Sequence, residues 1–225
     1  MRAGAARPPA GGERKATVVT IDGPAGAGKS TIASALAVRL GVPHVDTGAY
    51  YRAATLAVLR ADVPPEDAEG CLKAVSSARI ERGGGHTRLN GEDVECEIRG
   101  PAVTAAVSAV SAHPEVRAAL LAAQRGGIGE EGAVVEGRDA GTVVAPDADL
   151  KVWLTASSQA RAARRAEQLG QTGQDPVRTH AADLARRDAL DARQMVPAPD
   201  AVVIDTTDRE VGAVVEEIAR LALAR

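Results

Sequence analysis

Near the start of the chain, Gly23-Pro24-Ala25-Gly26-Ala27-Gly28-Lys29-Ser30 satisfies the pattern G-x-x-x-x-G-K-[ST] at every fixed position, and Thr31 follows it. Glycines let backbone N–H groups approach a polyphosphate where a Cβ would stand in the way. A helix opening at Lys29 points its positive end at the same anion. Such a run would hold a nucleoside triphosphate, with Lys29 reaching the β- and γ-phosphates and the Ser30 hydroxyl placed to ligate Mg2+. The lysine is informative, because the chain uses 23 arginines and only four lysines. A compact ammonium fits a tight loop that excludes a guanidinium.

The elements that must position this loop are legible on either side. Thr17-Val18-Val19-Thr20-Ile21 is a β-branched run of strand length, and Ile32, Leu36 and Leu40 recur at helical spacing. Further on, 42–46 reads as a short extended piece and 47–60 as a helix. Segments 133–136, 150–154 and 201–204 read as strands apolar on both faces, as parallel strands covered by helices are. The expectation is an α/β core with a five-stranded parallel sheet flanked by helices, formed by 17–62 and 130–225. Residues 63–129 do not fit that alternation. They predict helices over 67–77, 103–111 and 114–125, and strands near 79–81 and 88–94, where Asn90-Gly91 is a hairpin turn signal. This predicts an inserted lobe with a small antiparallel sheet, closing over a substrate. Residues 1–16, rich in Gly, Pro, Ala and Arg, read as a disordered extension.

Composition narrows the function classes. The core must be built from Ala, Val, Leu and Ile, since the chain has no Phe, one Trp and two Tyr, adjacent at 50 and 51. A formal charge of −3 gives no basic excess to argue for nucleic acid or an anionic membrane. No signal-peptide h-region and no apolar run of spanning length is present, so a cytoplasmic protein is expected, as a monomer. Cys71 and Cys96 match no metal or redox spacing and read as reduced thiols. The four histidines are scattered without ligand spacing, which predicts surface or cap roles.

A phosphate loop is shared by GTPases, motor ATPases and small-molecule kinases. The guanine-reading Asn-Lys-x-Asp run is missing, since Asn90 is the chain's only asparagine. Val134-Val135-Glu136-Gly137-Arg138 does not match the apolar strand ending in Asp-Glu of motor ATPases. A kinase remains. Three further runs, Asp46-Thr47-Gly48-Ala49-Tyr50-Tyr51-Arg52, Glu136-Gly137-Arg138-Asp139-Ala140-Gly141-Thr142-Val143-Val144 and Arg187-Asp188-Ala189-Leu190-Asp191, resemble in order and spacing the motifs of bacterial cytidylate (CMP/dCMP) kinases. Asn90-Gly91-Glu92-Asp93-Val94 resembles the enlarged nucleotide-binding insertion of those enzymes.

The resemblance implies roles. Arg52 and Arg138 would hold the acceptor's α-phosphate, a task suited to a planar fork. Asp139, with Ser108 and Arg117 from the insertion, would read the cytosine edge, where a carboxylate accepts from the N4 amino group and repels the carbonyl of uracil. Arg187 and Asp191 would face the ribose, with Thr47 and Tyr51 near the acceptor. Arg161, Arg164 and Arg165 share a helix face, as if a polyphosphate neutralised them, and about 157–178 resembles a short helical lid. The acceptor is already ionised near neutral pH and needs no catalytic base.

Three positions depart from the family pattern. The segment between Asp191 and Asp200 is shorter, leaving Arg193 as the candidate for an arginine normally found there. Thr47 stands where serine is common, and Ala140 replaces a larger apolar residue beside Asp139, which would loosen the pocket. Other readings of the residues are a kinase of another small acceptor, such as UMP or a metabolite, and a nucleotide-binding regulator without catalysis.

Overall fold

The fold is that of a computed structural model, and it describes residues 16–171 and 173–225. The expected N-terminal extension, apart from Ala16, lies outside the described residues, as does Thr172 within the expected lid.

In chain order the strands are β1 (Thr17–Asp22), β2 (His44–Asp46), β3 (Ile80–Gly83), β4 (His86–Leu89), β5 (Glu92–Asp93), β6 (Gly132–Glu136), β7 (Leu150–Thr155) and β8 (Val202–Asp205). The helices are α1 (Lys29–Leu40), α2 (Thr47–Arg60), α3 (Ala68–Ser76), α4 (Pro101–Ala112), α5 (Pro114–Gly126), α6 (Ser158–Gln168), α7 (Gln174–Leu190) and α8 (Val211–Leu223). A five-stranded sheet runs in the order β2-β6-β1-β7-β8, every neighbouring pair parallel. A separate antiparallel sheet joins β3, β4 and β5.

The period of two along each parallel strand divides the core. Val19 and Ile21 of β1, Val134 of β6, and Leu150, Val152 and Leu154 of β7 point to one face, where Ile32 and Leu36 of α1 and Val214 and Ile218 of α8 cover them. Ala133 and Val135 point to the other face and pack on Val45, Tyr50, Ala140 and Val144. With no phenylalanine, these aliphatic side chains supply the burial, each fully buried Val, Leu or Ile contributing about 1.5–3 kcal/mol.

Helix α2 leaves the sheet and is packed on both flanks by the 63–129 segment. Ala53 and Leu56 meet Leu89, Val94, Ile98 and Val103, while Ala54 and Val58 meet Cys71, Val75, Val110, Val116 and Leu120. Helix starts follow local chemistry. Asp67 caps α3 through Gly70 N, Asp46 caps α2 through Ala49 N, and α4 and α5 each open on a proline, whose missing N–H costs nothing there.

In the small sheet the turn signal at Asn90-Gly91 divides 88–94 between β4 and β5, with Asn90 at φ 53 and Gly91 at φ 89. A further tight turn at Gly84 and Gly85, both at positive φ, joins β3 to β4. Residues with φ > 0 in both central positions twist in the sense of the strands they connect.

Gly132 opens β6 at φ +94, and a Cβ there would stand 2.2 Å from the Thr17 carbonyl oxygen of the paired strand. Gly84 is also at positive φ, but has nothing within 4 Å of its missing Cβ. Gly132→Ala should therefore cost more than about 2 kcal/mol of unfolding free energy, and Gly84→Ala only about 1 kcal/mol. Denaturant midpoints of the two variants, measured side by side, check this. Equal losses would contradict the register of β1 on β6.

Candidate active site

Strands of a parallel sheet end on one edge, where the loops leaving them diverge and open a crevice. Here that crevice is a cavity of about 630 Å³, lined by the phosphate loop, the first turn of α2, the end of β6 and residues of α4 to α7.

The loop forms one wall. Gly28, at φ +91, delivers the chain into α1, whose first amides receive no side-chain cap. Loop amides and an uncapped helix start together make an anion receptor. Gly26 lets α6 close on the loop, since a Cβ would meet Arg161 Cβ at 3.0 Å. Lys29 Nζ donates to the Pro24 carbonyl at 2.8 Å. Burial, and next the neighbouring Arg138, push the Lys29 ammonium down to about 7. An ammonium held dry beside another cation is stabilised by a bound anion.

Ser30 Oγ donates to Glu136 Oε2 at 2.8 Å, and the other Glu136 oxygen lies 2.9 Å from His44 Nε2. His44 thus takes neither of the surface and cap roles expected of the histidines. Glu136 opens one of the family-like runs but is not among the site residues expected from the sequence, yet its carboxylate meets the phosphate loop. The signal was a carboxylate closing an apolar strand beside β1. Thr47 Oγ1 donates to the Glu136 carbonyl at 2.7 Å, and Gly137 leaves room for that hydroxyl, which a Cβ would meet at 2.6 Å.

Across the cavity stand arginines. The Arg52 guanidinium, carried by α2, donates to Ile98 O at 2.9 Å and Thr104 Oγ1 at 3.0 Å. Burial, then the charge of Arg187, bring it down to about 10. Arg187 is lowered by burial and then by Arg138, and its buried Nε has no hydrogen-bond partner among the described residues. Arg138 donates to the Gly23 carbonyl at 3.0 Å and pairs with Asp191 at 2.9 Å. Asp191 therefore answers Arg138 rather than forming an i,i+4 pair with Arg187. These cations weaken one another and outnumber the carboxylates among them.

On the far side of Arg52, Arg117 Nη2 pairs with Asp139 Oδ2, and its guanidinium lies over the Tyr51 ring, 5.0 Å from the centroid. Ser108 is buried in the same wall. Burial raises the Asp139 carboxyl while Arg117 opposes the rise. The sequence-predicted residues Thr47, Tyr51, Arg52, Ser108, Arg117, Arg138, Asp139, Arg187 and Asp191 thus converge on one cavity with Lys29 and Ser30.

Other expectations are redrawn. Arg193 is exposed and outside the cavity, which Gln194 lines instead, so the shortened segment does not deliver an arginine there. Arg161 turns to the Asp188 carboxylate and the Ala25 carbonyl, and Arg164 to the hydroxyl and carbonyl of Thr206. A carboxylate thus answers one of the three charges expected to await a polyphosphate, that of Arg161, while Arg164, its donors met by neutral oxygens, and Arg165 both line the cavity. Ala140 is buried among Val45, Tyr50 and Val144, so its small size acts on the core and not on the pocket. Thr206, Arg209, Glu210 and Val211 line the opposite end. No motif marks the connection between β8 and α8, so nothing local singles these residues out.

A family model described as cytidylate kinase matches residues 19–223. Among curated relatives, the cytidylate kinase of Nocardia farcinica is 49% identical, with 91% of this chain and 92% of that protein covered. That of Mycolicibacterium paratuberculosis is 48% identical over 92% and 96%, and that of Burkholderia multivorans 43% identical over 89% and 90%. A crystal structure of an uncharacterized protein from Eubacterium ventriosum shares the fold at a TM-score of 0.54 and 13% identity, covering 94% of this chain and all of that one. The phosphate loop, the arginine-lined cavity facing it and relatives matching nearly end to end give one conclusion: the chain belongs to the cytidylate kinase family, ATP-dependent nucleoside monophosphate kinases.

Proposed function

We propose that the cavity seats ATP on the phosphate loop and CMP or dCMP against the arginines and Asp139, and that the γ-phosphate passes in line from one to the other, giving ADP and CDP or dCDP. One observation carries this reading. Lys29 on one wall and Arg52 and Arg187 on the other are desolvated cations that form no ion pair among the described residues, Arg138 stands beside them, and the space between them suits two polyanions.

Lys29 and the loop run Gly23 to Thr31 hold the triphosphate. Arg52 and Arg138 grip the acceptor's α-phosphate, and Asp191 orients Arg138. Asp139, aligned by Arg117, accepts from the cytosine amino group, with Ser108 beside it and Tyr51 supporting Arg117. Arg187 and Thr47 complete the acceptor wall, and Arg165 serves the donor side, where Arg161 braces the phosphate loop through the Ala25 carbonyl. Residues 63–129 form the acceptor-binding lobe on the core made by 17–62 and 130–225, with α2 packed into that lobe. The α6–α7 hairpin, over about 157–178, is the lid that keeps water from competing as acceptor.

The donor set suits Mg2+. Ser30 Oγ and a Glu136 oxygen are hard ligands 2.8 Å apart beside the loop, and this ion uses few protein oxygens, filling its shell with water and phosphate. Ser30 and Glu136 would hold it, and when bound it offsets charge on the phosphates. Catalysis by the chain's own groups is positioning plus charge stabilisation, and no general base is required because the attacking oxygen is already ionised. We place the protein in the cytoplasm, in pyrimidine nucleotide metabolism, as a monomer with Cys71 and Cys96 as free thiols.

With ATP-Mg2+ and each nucleoside monophosphate in turn, CMP and dCMP should give diphosphate product, and ADP formation no faster than in buffer would sink the reading. Asp139→Ala should lower kcat/KM for CMP by about 1–3 kcal/mol while narrowing the preference over UMP. Unchanged discrimination would remove Asp139 from base recognition. Lys29→Ala should abolish transfer with the circular dichroism spectrum retained.

The unbalanced arginines carry a separate consequence. Inorganic phosphate at ten times its Kd should stabilise the ligand-free protein by about 1.4 kcal/mol relative to chloride of equal ionic strength. Arg52→Gln should remove most of that gain in a thermal melt, and an undiminished gain would place the anion elsewhere.

A further inference from the structure

Among the described residues, Asp22 is a buried carboxylate to which neither substrate gives a task. It closes β1, is 6% exposed, and accepts from two consecutive amides, Ala140 N and Gly141 N, each at 2.7 Å. Its neighbours on the chain make related contacts. Gly137 N donates to the Ile21 carbonyl at 3.1 Å, and Arg138 Nη1 to the Gly23 carbonyl at 3.0 Å. Three consecutive residues, the last two of β1 and the first of the phosphate loop, therefore hold the segment 137–141 by four hydrogen bonds. Asp139 hangs between those fastenings.

We infer that Asp22 is a positioning residue for acceptor recognition: its forked carboxylate fixes the turn after Asp139 against the start of the phosphate loop, so that the base-reading carboxylate is aimed relative to the donor site. This inference rests on the reading that Asp139 contacts the base.

The chemistry favours a carboxylate at this position over any neutral group. Two parallel N–H donors on adjacent residues need two acceptors at the same spacing, which one carboxylate supplies and an amide does not, since one end of an amide is itself a donor. Keeping such a group buried is costly. Burial pushes the Asp22 carboxyl up to about 6, opposed by the hydrogen bonds from Gly141 and Ala140 and raised further by the charge of Asp139. The turn it holds is five residues of π-helical winding, Ala140–Val144, a conformation seldom stable without outside support. Gly141 belongs to the same device, for a Cβ there would meet Thr20 Oγ1 at 2.7 Å and Asp22 Oδ2 at 3.2 Å.

Two variants test this, because they disturb the same fastening from opposite sides. Asp22→Asn places a donor against one of the two amides. Gly141→Ala leaves the carboxylate intact and pushes the turn away from it. Steady-state kinetics with CMP, UMP and ATP, at saturating concentration of the second substrate, should show for both variants a KM for CMP raised roughly 5- to 30-fold and a narrower preference for CMP over UMP, with KM for ATP within about twofold of the parent. A residue that merely stabilised the fold would lower the melting temperature and the active fraction while leaving both KM values and the CMP preference unchanged, and that result overturns the inference. Should Asp22→Asn fail to fold, Gly141→Ala decides by the same readouts. Asp139→Ala run alongside separates the two levels. Loss of preference there, with none in the Asp22 or Gly141 variants, refutes the positioning role and leaves the base reading standing. No loss in any of the three refutes both.

Discussion

A cation buried without a counter-ion is expensive, and this protein keeps several in one place. Lys29, Arg52 and Arg187 are each brought below their ordinary pKa by burial first and by a neighbouring positive group second. A fold tolerates that cost only when the rest of the structure over-determines the positions of the groups involved. Here the means for Lys29 and Arg52 are the backbone carbonyls of Pro24 and Ile98, which satisfy N–H donors without cancelling the charge. The geometry is thus set in advance while the electrostatic demand is left open, and phosphate oxygens supply what carbonyls do not.

Beneath this layer lies one of the opposite sign. Four of the five parallel strands end in an acidic residue, Asp22, Asp46, Glu136 and Asp205, and each carboxylate fastens a different piece of the rim. Asp22 takes the turn after Asp139, Asp46 the start of α2 and the Arg99 guanidinium, Glu136 the Ser30 hydroxyl and His44, and Asp205 the Thr207 amide and hydroxyl. Asp188 in the last turn of α7 and Asp191 just past its end do the same, on Arg161 and Arg138. A parallel sheet places its strand ends side by side, so carboxylates there can organise loops from distant parts of the chain.

The core and the phosphate loop were legible because their signals are local. Thr17 to Ile21, the glycine run and the 3.6-residue spacing of Ile32, Leu36 and Leu40 lie within one window, and β1 and α1 follow them. Asn90-Gly91 was read for the same reason, since a turn requires positive φ at two adjacent residues. What was not legible is long-range. That Glu136 reaches Ser30, or that Asp22 reaches Ala140 across 118 positions, depends on which strands are neighbours, and sequence spacing does not state it. Arg161 and Arg164 share a helix face as expected, but their partners come from α7 and from the connection after β8, and the Asp188 carboxylate there answers the charge of Arg161, which spacing along the helix does not reveal. Arg193 failed for a simpler reason. In a shortened segment one residue of shift decides which side chain faces inward, and Gln194 holds that position.

The most direct test is a crystal structure of the protein with CMP and a non-hydrolysable ATP analogue bound together. The expected result is the CMP α-phosphate within hydrogen-bonding distance of both the Arg52 and Arg138 guanidiniums, with Lys29 on the analogue's terminal phosphates and the two nucleotides facing each other in the same cavity. A CMP phosphate seated away from those arginines, with Arg52 still bound only to Ile98 and Thr104, would contradict it.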